Sequence, residues 1–139
     1  MNKTEEMVYK LCRDSFLSLW SYPNPMREDG RELCDVLVIF DPHVVVFSVK
    51  EVKYSEDAEE EVAQKRWERR AIDESVNQIY RAEKLIGRSK KVITREGIEA
   101  LAFPDPQTRK THRIAVALGS KGKVTIKSGD FREGYVHVY

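Results

Sequence analysis

Two apolar runs separated by a short turn constrain this chain more than any other feature of its sequence. Residues 36–40 (VLVIF) and 44–49 (VVVFSV) are β-branched or aromatic almost throughout, and Asp41-Pro42-His43 between them are turn-forming residues. Residues of these types favour strands, and two such runs joined by a short turn are typical of a β-hairpin. The pattern therefore predicts a hairpin of two buried strands.

Charged residues stand at the open end of this predicted hairpin. Asp35 directly precedes the first strand, and Glu51 and Lys53 follow the second. Because side chains alternate along a strand, Glu51 and Lys53 are predicted to share one face, and antiparallel pairing would bring Asp35 near them. An isolated ionised carboxylate in an apolar interior costs on the order of tens of kcal/mol unless it is paired, protonated or bound to a cation. The pattern therefore predicts a polar site on an apolar sheet.

The chemistry of these three residues suits phosphodiester cleavage. Two carboxylates and a backbone carbonyl offer the oxygen ligands that Mg²⁺ or Mn²⁺ prefers, with waters and phosphate oxygens completing the shell. Lys53 beside them could hold a nucleophilic water and offset charge on the phosphate. A plainer interpretation stays open, in which Asp35 caps a strand and Lys50, Glu51 and Lys53 form a solvated strand end with weak ion pairs.

Asp35 followed by Glu51-Val52-Lys53 on paired strands resembles the PD-(D/E)XK nuclease superfamily, which has the restriction-endonuclease-like fold. The resemblance implies an α/β fold, a mixed β-sheet flanked by helices with an α-β-β-β-α-β core. It implies a metal-dependent nuclease in which Asp35, Glu51 and the Val52 carbonyl hold Mg²⁺ or Mn²⁺ and Lys53 assists the nucleophilic water. Nucleic acid would be the partner, DNA in preference to RNA, and a homodimer is one assembly that it allows.

Two further residues fit the resemblance as supports of the site. Members of the superfamily usually place a helix before the hairpin that often carries a Glu facing the site, and Glu5 is similar. A helix after the hairpin sometimes presents a Gln, for which Gln78 is the candidate. Each has another interpretation, since an acid in a first helical turn is stabilised by the helix dipole and Gln78 could satisfy a buried backbone group. Thr4 is the expected cap of the first helix, which is predicted to run to about Trp20.

Two features depart from the superfamily pattern, and the second of them, the position of the lysine, decides between two functions. Cys34 stands where the name-giving Pro would be, and Ser48-Val49-Lys50 offers a competing position for the lysine. If Lys50 were that lysine, the catalytic acid would be missing, and the domain would be a catalytically inactive module that binds nucleic acid or another partner. We expect Glu51 and Lys53 to be the catalytic pair.

Longer stretches resemble a group of largely uncharacterised bacterial proteins with a nuclease-like N-terminal domain. They are FLSLWSYPNP (16–25), GRELCDVLVIF (30–40) and FSVKEV (47–52). The chain of 139 residues, 41% of them hydrophobic, is long enough for one core, so we expect residues 1–139 to be a single domain excised from a longer protein.

Composition limits what can be expected of the partner, the cysteines and the histidines. The net charge of +1 gives no overall basic signal, so nucleic-acid binding would require a local patch. Cys12 and Cys34 are predicted to be buried free thiols in a cytoplasmic protein, and no apolar run is long enough to span a membrane. His43, His112 and His137 lack the spacing of a zinc site and are assigned no catalytic role.

Overall fold

A computed structural model describes residues 2–16 and 20–139 of the chain. Helix α1 (Lys3–Phe16) is followed by strands β1 (Ser21–Pro23), β2 (Val36–Phe40) and β3 (His43–Glu51). A long helical segment then comprises α2 (Glu60–Glu68), a π-helical turn (Arg69–Asp73) and α3 (Glu74–Ile86). The remaining strands are β4 (Lys91–Ile93), β5 (Glu99–Ala102), β6 (Lys110–Leu118), β7 (Gly129–Asp130) and β8 (Tyr135–Val138).

Six of these strands form one mixed sheet in the order β1-β2-β3-β6-β8-β7, and β4 and β5 form a separate two-stranded sheet. Strands β1, β2 and β3 pair antiparallel, whereas β6 is parallel to both β3 and β8. Parallel neighbours require a long crossover, which α2 and α3 provide between β3 and β6. The predicted α/β class, a mixed sheet with helices, is confirmed. The finer prediction of a restriction-endonuclease-like core stays a prediction.

The central strands contribute alternate side chains to two hydrophobic cores, one on each face of the sheet. On the face covered by α2 and α3, called here the α3 face, Val44 and Val46 pack with Trp67 of α2 and with α3. On the opposite face, called the α1 face, Val45 packs with Val8 of α1. Both faces of β2 and β3 are covered over most of their length, so their apolar side chains are buried, apart from Phe40 at the end of β2, which is 45% exposed.

The start of α1 differs from the sequence prediction. The Asn2 side-chain Oδ1 accepts a hydrogen bond from the Glu5 amide at 2.8 Å, and Glu5 Oε2 accepts one from the Asn2 amide at 3.2 Å. This reciprocal pair is a capping box with Asn2 as the cap. The prediction that Thr4 caps α1 is wrong, because Thr4 lies within the first turn and its hydroxyl donates to Glu51. Residues 17–19, in the predicted extension towards Trp20, lie outside the described residues.

None of the helices formed by residues 2–16 and 20–139 is long and apolar enough to cross a membrane.

Candidate functional site

Asp35 is the one acidic side chain of the described residues that is buried, with an exposed fraction of 9%. It directly precedes β2, and its Oδ2 accepts a hydrogen bond of 2.6 Å from the Val49 amide on β3. No hydrogen bond or ion pair reaches its Oδ1 from the part of the chain that the structure describes. Asp35 is therefore anchored through one oxygen, and the other is available to a ligand.

The surroundings of Asp35 disfavour its charge. Burial raises the pKa of Asp35 to about 6, while the hydrogen bond from the Val49 amide opposes that rise. The negative charges of Glu32 and Glu5 raise the pKa further, and the positive charge of Lys50 lowers it. A carboxylate in these surroundings gains from a bound cation, which would stabilise its ionised form.

A polar cavity of about 210 Å³ opens beside Asp35 on the α3 face. Helix α3 contributes Gln78 and Arg81, which are three residues apart and therefore neighbours on the helix surface. The loop before β2 contributes Arg27 and Glu32 to the opposite wall. The complete lining is Arg27, Glu32, Leu33, Cys34, Asp35, Gln78, Arg81, Ala82 and Leu85. Two carboxylates, two guanidinium groups and one amide thus share a single cavity.

The loop that carries Glu32 is held by its own backbone. The Asn24 amide donates to the Asp35 carbonyl at 2.9 Å, and the Leu33 amide donates to the Pro25 carbonyl at 2.7 Å. Asn24 adopts a positive φ of 45°, a conformation that Asn tolerates better than most residues, and its side chain donates to Glu32 Oε1. The two ends of the loop therefore meet at the mouth of the cavity, with Glu32 on its rim.

Ser48 and Gln78 connect β3 to α3 beside Asp35. Ser48 Oγ donates to Gln78 Oε1 at 3.0 Å, so the Gln78 amide nitrogen is the group that remains for the cavity. The register pairs Val36 with Phe47, so its continuation places Ser48 opposite Asp35. Lys50 lies two residues further along β3 and shares this face of the sheet.

The structure places Asp35 and Glu51, which the sequence predicts to act together, on opposite faces of the sheet. Glu51 belongs to the alternate set of β3 side chains that faces α1, and its Oε2 accepts a hydrogen bond of 2.7 Å from Thr4 Oγ1. Asp35 faces the other side of the sheet, towards α3. The physical reason is register: Asp35 lies opposite Ser48, so residues 48 and 50 share its face, whereas residues 49 and 51 do not.

The other two members of the predicted set are also separate from Asp35. The Val52 carbonyl accepts a hydrogen bond of 2.7 Å from Trp67 Nε1. Gly119 packs so closely there that a Cβ on it would lie 2.0 Å from that oxygen. Lys53 is exposed beyond the end of β3. The structure therefore does not bring Asp35, Glu51 and Val52 together as metal ligands, nor does it place Lys53 in the Asp35 cavity.

The two predicted supporting residues have different positions. Gln78 lines the Asp35 cavity, where the superfamily resemblance would place it. Its hydrogen-bond partner is the Ser48 hydroxyl rather than a backbone group. Glu5 forms the capping box of α1, as its alternative interpretation allowed, and it is close enough for its charge to raise the pKa of Asp35. Sequence reasoning missed Arg27 and Glu32 as cavity residues. Counting the hairpin register from the turn would have identified Ser48 and Lys50.

The donor set of the cavity can be compared with what a metal ion needs. Within residues 2–16 and 20–139, no three His, Cys, Asp or Glu side chains are arranged to hold a metal ion. Mg²⁺, however, is usually held by one or two carboxylates together with waters and substrate phosphates. Asp35, with a free Oδ1, and Glu32 fit that smaller requirement.

Comparison of the chain with protein-family models, with curated proteins and with solved structures gave no match in any of the three. The superfamily resemblance therefore depends on the motif residues alone.

Proposed function

We propose that this chain is a metal-dependent nuclease domain whose site is the Asp35 cavity on the α3 face. The observation that carries the proposal is Asp35 itself, a buried carboxylate whose pKa is raised to about 6 and whose Oδ1 is reached by no hydrogen bond or ion pair from the described residues. Burying such a group costs stability, so its presence beside a polar cavity favours a role in binding.

The residues around Asp35 suggest a role for each side chain in the reaction. Asp35 and Glu32 would hold Mg²⁺ or Mn²⁺, which when bound would polarise the phosphoryl group of the substrate. Lys50, on the same face as Asp35, would take the role that the sequence assigned to Lys53 and hold the attacking water. The Gln78 amide and the Arg81 guanidinium would donate hydrogen bonds to phosphate oxygens. Nucleic acid is the partner that this division of roles implies, and the superfamily resemblance favours DNA as the substrate.

A melting experiment with Mn²⁺ and with chelator tests the location of the site. A ligand that binds only the folded state raises the melting temperature by mass action. We expect Mn²⁺ to raise the melting temperature of the wild type and of Glu51→Gln, and to leave Asp35→Asn unchanged. Glu51→Gln is the matched control because it removes a carboxylate from the same hairpin on the other face. If the Mn²⁺-dependent rise in melting temperature is lost in Glu51→Gln and kept in Asp35→Asn, Glu51 is the metal ligand, as the sequence predicted. If Mn²⁺ raises the melting temperature of none of the three proteins, the metal site is contradicted.

Activity is then measured on the same three proteins with single- and double-stranded DNA and RNA. We expect Mn²⁺-dependent cleavage by the wild type and by Glu51→Gln, and none by Asp35→Asn. Metal binding without cleavage of any of these substrates would contradict the nuclease proposal and leave the binding site in place.

One observation favours the second function, a catalytically inactive nuclease-like module. Ser48, rather than an acid, lies opposite Asp35 on β3, so this strand supplies no second carboxylate on the α3 face. Ser48→Glu distinguishes the two functions because it adds a carboxylate directly beside Asp35. If the wild type is inactive and Ser48→Glu acquires Mn²⁺ binding and cleavage, the module has lost its catalytic acid. If the wild type already cleaves, Glu32 supplies the second carboxylate and Glu32→Gln is expected to abolish activity.

A further inference from the structure

The α1 face of the sheet is only partly covered by α1. The helix packs on β1, β2 and β3, whereas β6 and β8 extend beyond it. On this part of the face Ile114 and Val116 of β6 are only partly buried, and Tyr135 and Tyr139 are 52% and 65% exposed. The α3 face of the same two strands is buried, with Ala115 and Val136 fully enclosed.

The uncovered part of the α1 face forms a groove beside α1. Two adjoining cavities of about 360 and 570 Å³ share Phe47, Ile114 and Tyr139 as lining residues. The larger cavity is bounded on the helix side by Met7 and Leu11, which are 59% and 66% exposed. An apolar ridge on α1 therefore lies next to an apolar groove on the sheet. Contiguous apolar surface of this kind marks an interaction site in a soluble protein.

The charges at the rim indicate which kind of partner the groove fits. The only charged residues of the described chain that line the larger cavity are Lys10 and Asp14, one of each sign. Nucleic acid requires a positively charged surface, and a strongly acidic or basic peptide requires the opposite charge, so neither is matched by this rim. A surface with an apolar ridge, an apolar groove and one charge of each sign is complementary to itself.

We propose that the chain forms a two-fold symmetric dimer through this face. The Met7 and Leu11 ridge of one copy would occupy the groove of the other, and Lys10 of each copy would lie opposite Asp14 of the other. A two-fold interface uses the same patch on both subunits, so ridge and groove must be adjacent, as they are here. The Asp35 cavity lies on the other face of the sheet and would stay open, so this inference does not depend on the proposed function.

Sedimentation velocity on the full chain over a range of concentrations tests the dimer. Leu11→Glu places a charge in the ridge, and Ile98→Glu is the matched control because Ile98 is 64% exposed at a position away from the groove. We expect the wild type and Ile98→Glu to be dimers, and Leu11→Glu to associate roughly 100-fold more weakly, as for loss of a buried anchor. A wild type that stays monomeric up to about 200 µM, far above the Kd of a stable interface, would overturn the proposal. Equal weakening by both variants would also overturn it.

A charge swap tests the two-fold pairing at the rim. Lys10→Glu alone and Asp14→Lys alone would each place like charges opposite one another and weaken the dimer. The double variant Lys10→Glu/Asp14→Lys would restore opposite charges and recover the association. Dimerisation that both single variants leave unchanged would show that another surface forms the interface.

Discussion

The two faces of the six-stranded sheet use the same strands for different purposes. On the α3 face, α2 and α3 cover the central strands and enclose a core with a polar cavity around Asp35 at its edge. On the α1 face, a single helix covers half of the sheet and leaves an apolar groove over β6 and β8. The covered face can desolvate a carboxylate, as the proposed metal site requires, and the open face presents the apolar surface that the proposed dimer requires.

Trp67→Ala is expected to have the largest effect on stability, and it sharpens the contrast between covered and open faces. Trp67 is 2% exposed on the α3 face, and its indole donates to the Val52 carbonyl. Truncation would leave a large cavity and an unpaired buried carbonyl, so the free energy of unfolding should fall by about 3–5 kcal/mol. Urea denaturation measures this loss.

Tyr139→Ala is the matched aromatic truncation on the α1 face. The side chain is 65% exposed, so we expect the unfolding free energy of the monomer to change by less than about 0.5 kcal/mol. Measurement in the Leu11→Glu background removes any contribution from the dimer. A loss comparable to that of Trp67→Ala would show that the α1 face is enclosed after all.

Asp35→Asn should have the second largest effect, and in the opposite direction. The pKa of Asp35 is raised from 3.8 to about 6, so the folded state favours the protonated form. Ionised Asp35 therefore opposes folding: stability falls as pH rises from about 4 to 6 and stays lower above that range. The penalty at neutral pH is up to about 3 kcal/mol, and Asn avoids it while still accepting the Val49 hydrogen bond.

The measurement is urea denaturation of wild type and Asp35→Asn from pH 3.5 to pH 7.5 in chelator. We expect the variant to be more stable at pH 7.5 and the difference to disappear as pH falls below about 4, where both side chains are neutral. A variant that is less stable at pH 7.5 would contradict this prediction, because it would mean that ionised Asp35 stabilises the fold.

The sequence was sufficient to predict the hairpin and the α/β class, but it was not sufficient to predict which residues surround Asp35. The hairpin of residues 36–49 was predictable because β-branched runs and turn residues act locally, and the α/β class followed from the helical patterns around it. The face on which Asp35 lies depends on register, and one residue of difference places a side chain on the opposite face. Glu32 and Arg81 meet Asp35 only through the path of a loop and the packing of α3, which local patterns do not encode.

The smallest expected effect concerns the histidines on the α1 face. His43 Nδ1 and His112 Nε2 are 2.9 Å apart on neighbouring strands, and His137 lies on the next strand, β8. Burial lowers the pKa of His112, and the positive charges of His43, His137 and Lys110 lower it further. The rings of Tyr135 and Tyr139 lie beside His137, with centroid distances of 5.0 and 6.4 Å.

The lowered pKa means that the folded state favours neutral His112. Neutral His112 therefore contributes to stability above the unfolded-state pKa near 6.5, and this contribution is lost as pH falls. We therefore expect His112→Gln to reduce the loss of stability between pH 7.5 and pH 5, as measured by thermal melting. The Leu11→Glu background separates this monomer effect from the proposed dimer, whose apolar contact charged imidazoles would also weaken. An identical pH dependence in the two proteins would mean that the histidines are solvated and that the groove does not desolvate them.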